Sequence, residues 1–316
     1  MSGAAEAAAF APASIGNVAV GFDMLGLAIQ GAGDTVTARR RAGREVTLAA
    51  VLDAAGAPHP DLAPSAAQNT ACIAAQALWD AHGDGGLELV LTKGTPLESG
   101  MGSSAASAVA AVVAANALLA RPLPVDELLP FALEGERFAS RGLHADNVAP
   151  SLLGGLVLCP APLLPRTVRI NTPAGVSSVL VHPELRVDTA SARRSLAPTC
   201  TIEQWLAQQA YLAAFIAACE HGDVELIGSV LRDVIIEPQR AARVPPFPAV
   251  KDAALAAGAL GCSLSGSGPS MFALCTDARS AAVAEAMKTA CREAGVACEA
   301  WVSPLDAPGA SLVTAP

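Results

Sequence analysis

The most specific chemistry in the sequence lies at residues 96–107, PLESGMGSSAAS, which run directly into an alanine- and valine-rich segment. A helix N-terminus carries unpaired N–H groups and a partial positive charge, so it attracts anions. Gly100 and Gly102 would let a phosphate approach the backbone, and the loop serines add hydroxyls that bind phosphate or Mg²⁺. The sequence therefore predicts an anion site before a buried helix that begins near Ala105.

The same residues also fit a plainer interpretation. Serines commonly cap helices and glycines form tight turns, so a capped helix without a ligand is the alternative. The loop lacks the Gly-Lys-Ser/Thr of a Walker A motif, and it is not a GxGxxG loop that opens a dinucleotide-binding unit. Other parts of the sequence must therefore decide between a ligand site and a simple cap.

The chain carries three blocks, PASIGNVAVGFDMLGLA at 12–28, the glycine loop at 96–107 and LSGSGPSMFAL at 264–274, and together they resemble motifs of the homoserine kinase family of the GHMP kinase superfamily. The glycine loop resembles the superfamily's nucleotide-binding motif P-x-x-x-G-L-G-S-S-A-A, with Met101 in place of Leu. LSGSGPSMFAL at 264–274 forms the third block, and PASIGNVAVGFDMLGLA at 12–28 is similar to P-A-[ST]-x-A-N-x-G-x-G-F-D-x-L-G. In that first block Gly16 replaces Ala and Ala19-Val20 replaces Gly-Pro, which predicts a less tightly turned backbone there.

Further segments extend the resemblance over nearly the whole chain. HADNVAPSLLGG at 144–155, TASARRSL at 189–196 and EPQR at 237–240 are similar to the same family. The resemblance implies an α+β GHMP kinase two-domain fold. Its parts would be a ribosomal protein S5 domain 2-like, ATP-binding N-terminal domain at residues 1–165 and a ferredoxin-like C-terminal domain at 166–316.

The activity that the resemblance implies is transfer of the γ-phosphoryl group of ATP to the side-chain hydroxyl of L-homoserine. The product would be O-phosphohomoserine, on the route to threonine. The implied substrates are ATP and L-homoserine, the implied cofactor is Mg²⁺, and a homodimer is one possible assembly.

Nucleotide-binding roles carry over to the loop and its surroundings. The residues expected to bind ATP are Asn69, Lys93, Pro96, Ser99, Gly100, Met101, Gly102, Ser103 and Ser104. Mg²⁺ prefers a small number of oxygen ligands, so Ser103 or Ser104 would bind it with Glu136, or with Glu134 in its place. The alternative for Glu136 is a surface or capping carboxylate.

Homoserine is a zwitterion, so its site needs a cation for the carboxylate and an acceptor for the ammonium group. By resemblance, Arg193 and Arg240 clamp the carboxylate and Asp23 accepts from the ammonium group. Without the motifs, these would be read as surface arginines and a turn aspartate. The other substrate and catalytic candidates are Asn17, Asn147, Asp146, Glu136, Ser104 and Gly268.

Within this set, Asn147 and Asn17 would orient the hydroxyl, and Asp146 is the candidate base. Phosphoryl transfer depends chiefly on alignment and charge neutralisation, so it does not require a strong base. His144 is assigned a structural hydrogen-bonding role and no catalytic one.

Composition narrows the class of protein. The chain has 316 residues, of which 52% are hydrophobic and 16% charged, which is typical of a globular protein and favours two domains. Its formal charge is −9 and no basic run exceeds Arg39–Arg41, which argues against nucleic acid and anionic membranes as partners. Eight cysteines without a Cys-x-x-Cys pair predict free thiols and a cytoplasmic protein. A signal peptide is not expected, because the first residues lack a basic leader and include Glu6.

The pattern of predicted helices and strands lacks the strict alternation of a doubly wound sheet, which favours the α+β class. In addition to the helix after the glycine loop, the sequence predicts a polar turn at 140–151, a link between domains at 159–166 and a last strand at 300–305. The helix after the loop is too short to span a membrane.

Two alternatives to homoserine phosphorylation remain at this stage. The first is another small-molecule GHMP kinase of the mevalonate or shikimate type, although two guanidinium groups beside Asp23 favour an amino acid. The second is a non-catalytic sensor that binds a metabolite, although the loop serines, Glu136 and Asn147 favour turnover.

Overall fold

The computed structural model describes residues 4–62, 65–140 and 144–314. Within these ranges the protein has two β-sheets covered by helices. The predicted polar turn lies partly outside them, at 141–143.

The strands and helices were assigned in chain order. The strands are β1 (Glu6–Gly16), β2 (Leu25–Arg41), β3 (Val46–Leu52), β4 (Gly86–Thr92), β5 (Leu156–Leu158), β6 (Val168–Ile170), β7 (Val176–Pro183), β8 (Gly261–Leu264), β9 (Met271–Thr276), β10 (Cys298–Pro304) and β11 (Ser311–Val313). The helices are α1 (Thr70–His82), α2 (Ser103–Ala117), α3 (Leu129–Ser140), α4 (Ala145–Leu153), α5 (Thr189–Arg194), α6 (Ile202–His221), α7 (Val224–Val230), α8 (Glu237–Arg240), α9 (Phe247–Ala256) and α10 (Asp277–Glu293).

The larger sheet has the strand order β11-β1-β2-β4-β3, with β5 added to β2 and β6 to β5. Its pairs are antiparallel apart from β3 with β4. The smaller sheet has the order β10-β7-β9-β8 and antiparallel pairing throughout. The structure therefore confirms the α+β class.

Helix α2 lies at the centre of the first core. Residues 105–116 of this helix are buried, and α2 contacts α1, α3, α4, β1 and β2. Alanine has no side chain beyond Cβ, so neighbouring elements can approach α2 closely on every side. The alanine run thus fits a fully buried helix, and this packing holds the N-terminus of α2 in one place.

A second core joins the two sheets. Ile15, Leu27 and Met101 from the first sheet and the glycine loop pack with Phe215 and Phe272 from the second half of the chain. Because Met101 of the glycine loop belongs to this core, the loop is packed against residues from the second half of the chain.

Two local predictions were wrong. Helix α2 begins at Ser103 rather than near Ala105. The segment assigned to a polar turn contains α4, which includes Pro150. Proline has no N–H to donate to the carbonyl four residues earlier, Asp146 O. Gly26 makes room for that carbonyl, because a Cβ on Gly26 would lie 1.6 Å from it.

The C-terminal segment also differs from the prediction. The strand predicted at 300–305 is present as β10, but β11 follows it and pairs with β1 in the larger sheet. Strand β6 likewise adds to that sheet through β5. A division of the chain at residue 165 stays a prediction.

Candidate active site

A cavity of about 470 Å³ lies where the three sequence blocks meet. Most of the candidate residues line it: Asn17, Asp23, Asn69, Lys93, Ser99, Gly100, Gly102, Ser103, Ser104, Glu136, Asp146, Asn147, Arg193 and Arg240. The cavity thus receives side chains from both halves of the chain.

Hydrogen bonds tie the three blocks together around this cavity. Ser14 N–H donates to Met101 O at 3.0 Å, which joins the first block to the glycine loop. Ser265 Oγ donates to Gly100 O at 2.6 Å, and Gly266 N–H donates to Gly16 O at 3.1 Å. Segments that are distant in sequence therefore meet in one wall of the cavity.

The loop glycines are required by this packing. A Cβ on Gly100 would lie 2.4 Å from Ser265 O, and one on Gly102 would lie 2.4 Å from Ser14 Oγ. Both glycines also have positive φ, 75° and 67°. Besides lining the cavity, they let the other two blocks approach the loop.

Gly102 is the N-cap of α2 and has no side chain to cap it. The interpretation of the loop as a helix capped by its serines is therefore wrong. The first N–H groups of α2 need partners from outside the helix, and they lie at the cavity. This arrangement suits an anion.

The two serines that begin α2 face different partners. Ser104 Oγ donates to Glu136 Oε2 at 2.9 Å, and Glu136 is only 7% exposed. Ser103 Oγ instead accepts from Lys93 Nζ at 2.7 Å. Glu134 points to the surface and pairs with Arg137.

The Ser104–Glu136 pair fits Mg²⁺. Both groups present oxygen atoms, and Mg²⁺ takes few protein ligands beside substrate phosphates. Among the described residues, no group of three or more His, Cys, Asp or Glu side chains could hold a metal ion. A single carboxylate beside a hydroxyl is thus what this site offers.

Lys93 lies beneath the loop. Its ammonium group contacts the buried Asp34 carboxylate, Ser103 and Ser107 Oγ at 3.0 Å. Asp34 Oδ1 also accepts from the N–H groups of Gly94 and Thr95. These contacts make Lys93 an anchor of the loop, with its charge compensated inside the protein.

The residues expected to bind the carboxylate and ammonium groups of an amino acid lie together. Arg193 Nη2 donates to both Asp23 oxygens, at 2.6 and 2.7 Å. Arg240 is 4% exposed, donates through Nη1 to Gly266 O, and leaves its buried Nε without a partner among the described residues. The guanidinium carbons of Arg193 and Arg240 both lie over the ring of Phe22, 5.3 and 5.1 Å from its centroid.

Burial shifts the pKa values of Asp146 and His144, which lie next to this cluster. It raises the pKa of Asp146 to about 7, and the nearby charges of Asp23 and Glu136 act in the same direction. Burial lowers the pKa of His144, an effect that the Arg193 charge reinforces and Asp23 opposes. His144 Nδ1 lies 3.5 Å from Asp23 Oδ1.

Asn17 holds a turn of the first block. Asn17, Val18 and Ala19 have positive φ, so the backbone is tightly turned here, contrary to the looser turn predicted from Ala19-Val20. Asn17 Oδ1 accepts from Asp23 N–H and Asn17 Nδ2 donates to Gly266 O. These bonds stabilise a conformation that side chains rarely adopt.

The remaining candidates have structural contacts. Asn69 caps α1 by accepting from Ala71 N–H at 3.0 Å. Met101 is fully buried in the second core. Pro96 and Gly268 are not among the described residues that line the cavity, and Gly268 O instead packs against Gly100.

Sequence reasoning missed several residues of the site. Ser14 was part of the first block but received no role, although its position in the motif was a usable signal. Phe22 was in the same block. Asp34 had no motif to mark it, and only the fold brings it to Lys93.

Comparison with known proteins identifies the family. The family model for the GHMP kinases N terminal domain matches residues 69–155, and that for the GHMP kinases C terminal matches residues 215–293. The homoserine kinase of Xanthomonas campestris pv. campestris (strain B100) is 47% identical over 98% of this chain and 95% of its own. That of Chlorobaculum tepidum is 40% identical over 96% and 97%.

Solved structures agree. The crystal structure of homoserine kinase from Cytophaga hutchinsonii superposes with a TM-score of 0.93 at 39% identity and covers 99% of each chain. L. major mevalonate kinase, in complex with R-mevalonate, has a TM-score of 0.68 at 18% identity, so that likeness concerns the fold alone. The chain therefore belongs to the homoserine kinase family of the GHMP kinases.

Proposed function

We propose that this protein transfers the γ-phosphoryl group of ATP to the side-chain hydroxyl of L-homoserine. One observation carries the proposal: the N-terminus of α2 and the Arg193–Arg240–Asp23 cluster line the same cavity. Phosphate-binding amides beside a guanidinium and carboxylate cluster suit a kinase whose acceptor is an amino acid. The names of the relatives support the same reaction.

In this proposal the triphosphate lies against residues 96–104. The first N–H groups of α2 bind its oxygens, and the helix dipole favours their negative charge. Ser104 and Glu136 would hold Mg²⁺, which, when bound, neutralises charge on the β- and γ-phosphate oxygens. Lys93 acts from below by fixing Ser103 and the loop.

The amino acid binds at the other end of the cavity. Arg240 offers its positive charge and its unpaired Nε donor to the carboxylate, and Arg193 shares its charge between that carboxylate and Asp23. Asp23 accepts from the ammonium group. A zwitterion thus inserts next to an ion pair that is already formed, and each of its charges meets the opposite charge.

Between these two ends, Asn147 orients the hydroxyl toward the phosphate. Asp146 is the candidate proton acceptor, and a pKa of about 7 lets it exist in both protonation states at neutral pH. Alignment by Asn147 is the larger contribution, because the transition state of phosphoryl transfer is loose.

The setting of the enzyme is also a proposal. All eight cysteines are free thiols, which supports a reducing compartment such as the cytoplasm. Over the described residues, no helix is both long and apolar enough to cross a bilayer. A homodimer stays a prediction, which light scattering on the purified protein would test.

The decisive experiment follows ADP release with ATP, Mg²⁺ and a panel of alcohols. L-homoserine should be the preferred acceptor over mevalonate and shikimate, and mass spectrometry should detect O-phosphohomoserine. Two truncated acceptors dissect the site: 3-amino-1-propanol lacks the carboxylate and 4-hydroxybutyrate lacks the ammonium group. Preference for mevalonate or shikimate, or no turnover of any alcohol, would refute the proposal.

Variants assign the roles. Arg240→Leu should raise the KM for homoserine far more than that for ATP, and it should reduce the advantage of homoserine over 3-amino-1-propanol. Ser104→Ala and Glu136→Ala should each lower kcat while the protein stays folded. Glu134→Ala is the matched control, because Glu134 lies on the same helix but points to the surface.

A further inference from the structure

We infer that Ser14 is a positioning residue for the reaction, acting through Asn147. This rests on the proposed function, because it concerns the group that orients the acceptor hydroxyl. Ser14 Oγ donates to Asn147 Oδ1 at 2.9 Å. Ser14 is completely buried, so its hydroxyl cannot exchange this partner for bulk water.

The side-chain amide of Asn147 lies in a slot between two glycines. A Cβ on Gly16 would lie 2.9 Å from Asn147 Nδ2, and a Cβ on Gly102 would lie 3.0 Å from Asn147 Oδ1. Any larger residue at either position would press on the amide. The slot limits where the amide can lie, but a slot of this kind does not choose between its two ends.

The Ser14 hydroxyl supplies the hydrogen bond that holds the amide in this slot in the orientation that the structure shows. By donating to Oδ1 it holds the carbonyl end between Gly102 and Gly16, whose Cβ atoms would lie 3.0 and 3.1 Å from Oδ1, and it leaves the NH₂ end beside Gly16. Because Oδ1 is engaged by Ser14, the NH₂ group is the end of Asn147 left to donate to an acceptor hydroxyl, which would leave the proton of that hydroxyl free to depart. The flipped amide would present an acceptor and would hold that proton in place.

Ser14 also fixes the distance between Asn147 and the phosphate site. Its backbone N–H donates to Met101 O in the glycine loop at 3.0 Å, while its side chain contacts Asn147 on α4. One residue of β1 thus bonds both to the loop before α2 and to the residue that orients the acceptor. Loss of the hydroxyl cuts the second link and keeps the first, because the first uses only the backbone.

A double-mutant cycle tests this inference. Ser14→Ala, Asn147→Ala and the double variant are assayed for kcat and for both KM values on whichever alcohol the wild-type protein phosphorylates. Loss of one oriented hydrogen bond predicts about a tenfold fall in kcat for Ser14→Ala, with less than a threefold change in the KM for ATP. In the Asn147→Ala background, the same substitution should change kcat less than twofold.

Ser151→Ala is the matched control. Ser151 is also fully buried between β1 and α4, where its Oγ donates to Pro12 O at 2.6 Å, away from the cavity. It should lose stability as Ser14→Ala does but keep the wild-type kcat. Ser14→Thr retains the hydroxyl and should recover most of the lost turnover if its thermal unfolding is close to that of the wild type.

The outcomes separate the two hypotheses. If Asn147→Ala lowers kcat but Ser14→Ala does not, or if the two effects multiply in the double variant, the positioning role is refuted and the proposed function stands. If the wild-type protein phosphorylates a different alcohol, the proposed substrate is wrong, and the cycle still decides the role of Ser14. An equal fall in kcat for Ser151→Ala and Ser14→Ala would also refute the positioning role of Ser14.

Discussion

Asp146 offers a test of the site that does not depend on substrate. Its side chain lies in the cavity wall and is only 3% exposed, and Asn17 N–H donates to Oδ2 at 3.3 Å. Substitution of Asp146 by Asn keeps the shape and an acceptor for that bond but removes the charge. The substitution therefore isolates the cost of a buried negative charge.

The pKa of Asp146 sets how much stability the folded protein loses when this carboxyl ionises. Burial raises it from 3.8 to about 7 in the folded protein, so the folded state holds the proton more tightly than the unfolded chain does. The stability that this proton contributes is fully present below about pH 4 and is lost as the pH rises through about 7. Ionisation then costs the folded protein about 4 kcal/mol.

The assay is urea unfolding of wild-type protein and Asp146→Asn at several pH values, without ligands. The difference between the two proteins cancels the titration of other groups. The stability advantage of Asp146→Asn over wild type should increase by about 3 kcal/mol as the pH rises from 5 to 8. Asp126→Asn, which alters an exposed carboxylate, is the control and should show no such trend.

A difference between wild type and Asp146→Asn that stays constant from pH 5 to pH 8 would refute the reasoning. It would mean that Asp146 is already ionised throughout this range in the folded protein, as it is in the unfolded chain.

Three further predictions concern groups that hold the site. Gly135→Ala should lower the unfolding free energy by about 1–3 kcal/mol, because its Cβ would lie 2.6 Å from a backbone oxygen of α1; Gly228→Ala, with no neighbour closer than 3.5 Å, should not be destabilised. Lys93→Met should cost about 3–5 kcal/mol in urea unfolding by leaving the Asp34 charge unpaired, and adding Asp34→Asn should recover part of this. Phe22→Leu should raise the KM for homoserine more than that for ATP, because the ring supports both arginines; equal changes in the two constants would contradict this.

Motifs and composition alone predicted the class of fold and most of the residues around the cavity. The glycine loop, the EGER segment and the two arginines could be assigned because the chemistry of phosphate and of an amino acid demands particular residue types. A helix of alanines is also recognisable in a sequence, since a long run of small apolar residues too short to span a membrane predicts a buried helix. These features depend on local sequence, which is why they could be found without a structure.

Tertiary packing decided which of these groups meet. The prediction that Lys93 neutralises phosphate charge stays a prediction, but the structure pairs its ammonium group with Asp34, a residue of a neighbouring strand with no motif of its own. The sequence could not say which loop serine pairs with Glu136. In the structure the Ser103 hydroxyl contacts Lys93 and the Ser104 hydroxyl contacts Glu136, because α2 begins directly after the turn at Gly102. Helix α4 was not predicted because it contains Pro150, which cannot donate to Asp146 O. The space for that carbonyl is provided by Gly26 on β2, which is far away in sequence. Contacts between residues far apart in sequence leave no local pattern, and here they set the orientation of each group in the site.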